Sequence, residues 1–139
     1  MSVVTKKIKL SSKGETDIID ITDKVSDCVE GSKVKDGAVT IFVSGSTAGL
    51  TTIEYEPGLL KDLPKAFEVI APRQGEYHHN LRWHDGNGFS HVRAAMLGPS
   101  LSVPFSNKRL HLGTWQQIVL IDFDNRARSR EIIVQIMGE

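Results

Sequence analysis

Two runs near the C-terminus, "TWQQIVLIDFD" and "SREIIVQIMG", constrain the fold more than any other feature of the chain. Both are short, rich in β-branched and apolar residues, and bounded by polar or glycine positions, which is the pattern of strands in a packed sheet. "DNRA" between them fits a hairpin, so antiparallel pairing is expected at this end. "AVTIFVSG" is a further buried strand ended by glycine, and "LTTIEYE" alternates and reads as the next, stopped by Pro57-Gly58. "SLSVPF" and "RLHLG" read as two short strands around the turn "SNK", and "TKKIKL" as an early strand. Short strands joined by turns favour an antiparallel β-sandwich over a doubly wound α/β fold. The Rossmann and P-loop glycine patterns are absent.

Two or three helices interrupt this pattern. Ile21, Val25, Cys28 and Val29 have helical spacing, with Thr22 or Asp23 as the cap and Gly31 as the stop. In "GLLKDLPKAFEVIAP", Leu59, Leu60, Leu63, Phe67 and Ile70 share one helical face. Pro64 either divides that stretch or begins its second piece, because an interior proline removes a helix hydrogen bond. "SHVRAAMLGPS" holds a short helix ended by Gly98-Pro99.

A chain of 139 residues suits one domain, spanning 1–139. Lysine and arginine balance aspartate and glutamate at a formal net charge of zero. That argues against a general nucleic-acid binder and leaves self-association electrically permitted. The one cysteine, Cys28, cannot form an internal disulfide and reads as a small buried side chain. No stretch reaches the roughly 20 apolar residues that span a bilayer, and "MSVVTKKIKL" lacks a signal-peptide core. The expectation is a soluble cytoplasmic protein.

"YHHNLRWHDGNGFSH", residues 77–91, carries four of the five histidines. His79, Asp85 and His91 are separated by six residues in each interval, which no single helix gathers on one face but a folded-back loop can. Asp, Asn and Gly in "HDGNG" supply the turn chemistry for such a loop. Imidazole and carboxylate can hold zinc or a similar ion, and a histidine can move protons near neutral pH. A polar surface loop with scattered histidines is the plainer alternative, and His111 reads as structural. Glu54 and Glu56 fall on one face of the "LTTIEYE" strand, and with Asp62 form either a solvated acidic face or an oxygen-ligand cation site. "VSGSTAGLTT" offers Ser46, Thr47 and backbone N–H groups to a phosphate. Thr114 and Gln116 fall on one strand face with Arg130 on the paired strand, a combination suited to bidentate phosphate binding.

Taken together, "YHHN", "DGNGFSH", "LGPSLSVPF", "LGTWQQI", the closing arginine-rich run and "STAGLTTIEYEPGLLKDL" resemble the YjbQ-like family, often labelled secondary thiamine-phosphate synthase. The resemblance runs end to end in layout and is strongest over about the last sixty residues. It implies a jelly-roll-like β-sandwich with flanking helices, assembled as a homotrimer. His79, His91, Glu54, Asp62, Asp85, Thr114, Gln116 and Arg130 match the family pattern, whereas His78 and His84 are not required by it. One position departs: Gly45 stands where many members carry a histidine before the Ser/Thr pair. The implied reaction joins a pyrimidine diphosphate to a thiazole phosphate with release of pyrophosphate, and the word "secondary" in the label implies a side activity. The expected catalytic set is His79, His91, Asp85 and Glu54. Ser46, Thr47, Asp62, Thr114, Gln116 and Arg130 are expected to bind a phosphorylated ligand. His79, Asp85 and His91 are expected to hold a divalent metal, zinc or magnesium. The competing expectations are a trimeric module that binds a metal or anion without catalysis, and a structural role for the histidines.

Overall fold

The structure is a computed structural model describing residues 1–139. In chain order the elements are β1 (Ser2–Ser12), β2 (Asp17–Asp20), α1 (Thr22–Glu30), β3 (Gly37–Val43), β4 (Ala48–Ile53), α2 (Pro57–Ile70), α3 (His78–Trp83), α4 (Gly88–Leu97), β5 (Ser100–Ser106), β6 (Arg109–Leu110), β7 (Gln117–Asp122) and β8 (Arg128–Gly138). Five strands form one sheet in the order β1-β8-β3-β5-β6, and three form another in the order β2-β7-β4. Every pairing is antiparallel. The expected mostly β, α+β architecture is present, with four helices rather than two or three.

The two C-terminal strands are both present, but they do not form a hairpin. β7 pairs with β2 and β4, while β8 pairs with β1 and β3 in the other sheet. Their side-chain patterns explain why. In β8, Ile132, Val134 and Ile136 are buried on one face and alternate with more accessible residues, so this strand needs a core on one side only. In β7, Ile118, Val119, Leu120 and Ile121 are all fully buried, so it must be a middle layer. Ile118 and Leu120 face the larger sheet and join Val39, Ile41, Phe105 and Ile132 in the main core. Val119, Ile121 and Phe123 face the opposite way, against Ala94 and Leu97 of α4 and Leu60, Leu63 and Phe67 of α2. The molecule therefore stacks five-stranded sheet, three-stranded sheet and helices, with α1 plugging the main core through Val25 and Val29.

Several local expectations change in the folded chain. Thr22 is the first residue of α1 rather than its cap: its hydroxyl donates to Asp20 Oδ1 at 2.6 Å and accepts the Ile118 N–H at 2.9 Å. Gly31 ends that helix as expected. α2 is one continuous helix that contains Pro64. β4 ends at Ile53, so Glu54 and Glu56 are not on a strand; Glu56 instead caps α2 by accepting the Gly58 and Leu59 N–H groups. The turn between β5 and β6 has positive φ at both Asn107 and Lys108, the geometry of a tight two-residue hairpin. Gly98, with φ +97°, ends α4 ahead of Pro99.

Candidate functional site

The histidine-rich segment folds into two short helices separated by a reversal. α3 ends at His84, whose φ of 56° is left-handed, and Gly86 repeats that sign at 64°. The Asp85 side chain accepts the Asn87 N–H at 3.1 Å, and the Asn80 side chain accepts the Gly88 N–H at 2.9 Å. Gly88 lies against Tyr77, where a Cβ would come within 2.5 Å of the tyrosine Cβ, so no larger residue fits. These constraints bring the start of α3 against the start of α4.

The reversal gathers His79, Asp85 and His91. The two imidazole rings are 4.2 Å apart between centroids and inclined by 38°. Nδ1 of His79 is 3.6 Å from Asp85 Oδ1, just beyond hydrogen-bond reach, and is buried without a partner. Burial pushes the His91 imidazole below its ordinary pKa, and neighbouring His79 pushes the same way against the opposing carboxylates of Asp85 and Asp124. A lowered pKa leaves His91 a neutral proton acceptor at neutral pH.

Behind the histidines lies a polar network that joins the expected Thr47 and Arg130 to two aspartates the sequence-based expectations did not include. Asp122 and Asp124 are fully buried. Asp124 Oδ2 accepts from Thr47 Oγ1 at 2.8 Å, Arg128 Nε at 2.9 Å and Asn87 Nδ2 at 3.3 Å. Burial alone would raise the Asp124 pKa; these hydrogen bonds and the Arg128 charge outweigh it and hold the carboxyl below its ordinary value. Asp122 receives Arg130 Nε at 2.7 Å and Nη2 at 2.8 Å, while Nη2 also reaches Thr47 Oγ1 at 2.7 Å. Ser90 Oγ on α4 donates to the Phe123 carbonyl at 2.6 Å. The network thus fastens the helix bearing His91 to the end of β7 and the start of β8. Its sequence signal was an alternation: Asp122 and Asp124 two apart, then Arg128 and Arg130 two apart, across the link between the sheets.

The expected ligand residues divide into two groups. Gly45, Ser46 and His91 line a cleft of about 390 Å³ whose other walls include Ala94, Ala95 and Pro99. Thr47 and the fork of Arg130 are spent on the buried carboxylates, so Arg130 is not open for bidentate phosphate binding. Glu54 and Thr114 lie elsewhere, in a cleft of about 320 Å³ with Asp20, Tyr55 and Trp115. In the β4–β7 register, Ala48 pairs with Asp122 at the histidine end, and Ile53 pairs with Gln117 at the other. At about 3.4 Å per residue, six-residue β4 separates these ends by roughly 20 Å. Thr114 and Gln116 precede β7, and Arg130 is in the other sheet, so these three do not share paired strands. Gln116 bridges the Gly113 N–H and Thr52 Oγ1. Asp62 is exposed on α2. Within one chain, then, His79, Asp85 and His91 are together and Glu54 is not with them.

The histidine and carboxylate donors are chemically suited to zinc, and the orphan Nδ1 of His79 is a free ligand atom. As arranged, however, no three His, Cys, Asp or Glu side chains form a set able to hold an ion. The imidazoles lie ring against ring, and the three expected ligands do not fit a metal without rearrangement.

The comparisons place this geometry among known proteins. The UPF0047 protein YjbQ-like family model matches residues 6–139. A UPF0047 protein of Methanothermobacter thermautotrophicus is 36% identical over 139 residues, covering 100% of this chain and 95% of that protein. The UPF0047 protein YugU of Bacillus subtilis is 32% identical, covering 96% of this chain and 98% of that one. The crystal structure of a YbjQ-like protein of unknown function from Sulfolobus solfataricus superimposes with a TM-score of 0.94 at 35% identity, covering 99% of both chains. Sequence match across nearly the whole chain and agreement of fold lead to one assignment: the chain belongs to the UPF0047, YjbQ-like family.

Proposed function

We propose that this chain is an enzyme acting on a phosphorylated small molecule, with thiamine-phosphate synthase-like transfer as its reaction class. The observation that carries the reading is the His79–His91 pair, flanked by Asp85 and opening onto a cleft. In the proposed reaction a ring nitrogen of the thiazole phosphate attacks the methylene carbon of the pyrimidine diphosphate. A C–N bond forms, the C–O bond breaks, and pyrophosphate leaves with the electron pair. His79, beside the Asp85 carboxylate, delivers a proton to the departing diphosphate and regains one from solvent, while His91 stays neutral beside it.

The site is completed in a homotrimer. Glu54 and Thr114 sit at the far end of the three-stranded sheet, so a neighbouring subunit is the source of those groups for any one histidine pair. Exposed Leu81, Trp83, Val92 and Met96 on α3 and α4 supply the apolar surface that a subunit contact would cover. The test is pyrophosphate release from the two phosphorylated substrates, with and without added magnesium. Wild type turns over; His79→Ala and His91→Ala lose it while keeping a cooperative melting transition. Turnover retained in both variants sinks the residue assignment.

One observation favours a second reading, a non-catalytic binding module. The unpaired, buried Nδ1 of His79 is a ligand atom awaiting a partner. Elemental analysis of purified wild type and His79→Ala decides it: stoichiometric zinc lost in the variant, with no conversion of substrate, supports the module.

A further inference from the structure

β4 and β5 leave unpaired edges that face one groove. β5 pairs with β3, and its other edge is covered only from Pro104 onward, where the His111 N–H donates to the Pro104 carbonyl at 2.9 Å. The chain then turns away, and the Gly113 N–H goes to Gln116 Oε1. Backbone groups alternate sides along a strand, so Ser100 and Ser102 point their N–H and C=O groups as Pro104 does, away from β3. β4 has a partner strand, β7, on one side only. On its other side the Leu50 N–H donates to the Gly98 carbonyl at 3.0 Å. By the same alternation the Leu50 carbonyl and both backbone groups of Thr52 face that side. Gly49 permits the close approach, since a Cβ there would be 2.8 Å from the Gly98 carbonyl oxygen. From this bond both strands run toward the segment after β6, where Gln116 Nε2 donates to Thr52 Oγ1 at 3.1 Å. They belong to different sheets, so the ladder begun at Leu50 is not continued.

The groove between these edges has a volume of about 360 Å³ and apolar walls of Leu50, Leu97, Leu101, Val103 and Leu112. No Asp, Glu, Lys or Arg lines it, in a chain that is 24% charged. We propose that it receives an extended, uncharged peptide segment of a partner protein, which adds as a strand between β4 and β5 and joins the two sheets. A peptide backbone repeats a donor and an acceptor at the strand spacing of about 3.4 Å per residue, which is what two open edges require. Alternate side chains of that segment enter the leucine-lined groove. A charged side chain there would lose its hydration with no opposite charge to meet. The same criterion excludes a strand from a second copy of the chain. Of its edge strands, β1 carries Lys6, Lys7 and Lys9, β2 carries Asp17 and Asp20, and β6 carries Arg109. β4, the remaining edge strand, already forms a wall of the groove. This surface draws on neither the histidine pair nor the proposed reaction.

The probe is a peptide of alternating threonine and valine, capped at both ends and about five residues long, titrated into isotope-labelled full-length protein. The expected result is saturable binding, with the Ser100, Ser102 and Thr52 amides exchanging their hydrogens quickly in the free chain and about tenfold or more slowly in the complex. Ser102→Pro removes a donor from the open edge and spares the β3 ladder; Pro104 already holds an equivalent position in the same strand. It should weaken binding by about tenfold or more. The same peptide N-methylated at alternate residues, which cannot pair along an edge, should not bind. Lack of saturable binding at millimolar peptide, protection centred elsewhere, or undiminished binding in Ser102→Pro or by the N-methylated peptide overturns the proposal. The N-methylated comparison decides alone if Ser102→Pro does not fold. Amides already protected in the dilute free chain also overturn it, because the edge is then covered from within. Protection that appears only at concentrations where light scattering detects self-association makes a second copy the occupant and overturns the assignment to a partner protein.

Discussion

His91 and Asp124 show how burial and hydrogen bonding set ionisation within a few ångströms. For His91 burial dominates, and the folded chain holds the imidazole's pKa below 6.5. For Asp124 hydrogen bonds dominate, and the folded chain holds the carboxyl below 3.8. Both pKa values are lower folded than unfolded, so in each window the unfolded chain binds more protons and stability rises with pH. The His91 contribution is complete above about pH 6.5 and is lost as pH falls through its folded pKa. The Asp124 contribution is complete above about pH 3.8 and is lost only in stronger acid. Melting temperature measured from pH 8 to pH 3 should therefore fall in two stages. His91→Gln should remove much of the first stage and leave the second. An unchanged upper stage in that variant would show that another group titrates there.

α2 carries a different tension, between backbone and packing. Leu60, Leu63 and Phe67 lie against the three-stranded sheet, and Phe67 meets the Phe123 ring edge-on at 4.8 Å. That apolar face holds the helix continuous through Pro64, which cannot donate to the carbonyl one turn earlier. An interior proline is about 3 kcal/mol less favourable than alanine, and its restriction of the unfolded chain returns about 1 kcal/mol. Pro64→Ala should stabilise the protein by about 1–2 kcal/mol, read as a higher urea midpoint at unchanged slope. A lower midpoint would mean that the proline ring packs against the sheet by more than the backbone penalty. This helix was legible because its face is apolar at helical spacing; its continuity was not, because packing overrides a local breaker. α3 was harder to read: His, Asn and Trp in "HHNLRW" are weak helix formers, and the turn around Gly86 and Gly88 supplies what propensity lacks. The β7–β8 hairpin was misread for a related reason. Both strands are clear in sequence, but only burial of both β7 faces reveals that they belong to different sheets. The same misreading hid Asp122 and Asp124, which look like solvated turn residues until the chain crosses between layers.

At the scale of the molecule, the three-stranded sheet acts as a spacer. It carries His91, Ser46 and Gly45 near one end and Glu54 and Thr114 near the other, roughly 20 Å apart along β4. Equal spacing made His79, Asp85 and His91 readable as a set, but no sequence pattern places that set relative to Glu54. A cyclic assembly resolves the separation if the Glu54 end of one subunit meets the histidine end of the next, because a head-to-tail interface repeats around a closed ring. His91→Ala and Glu54→Gln chains should each be inactive alone in pyrophosphate release. Refolded together in equal amounts, they produce interfaces in four random pairings. Only one pairing joins an intact His91 to an intact Glu54, so activity should return to about one quarter of wild type. Mixed oligomers that form and stay inactive would mean that the two ends do not share a site. Full activity of Glu54→Gln alone would remove the far cleft from the chemistry and leave the histidine pair and its adjoining cleft as the working centre.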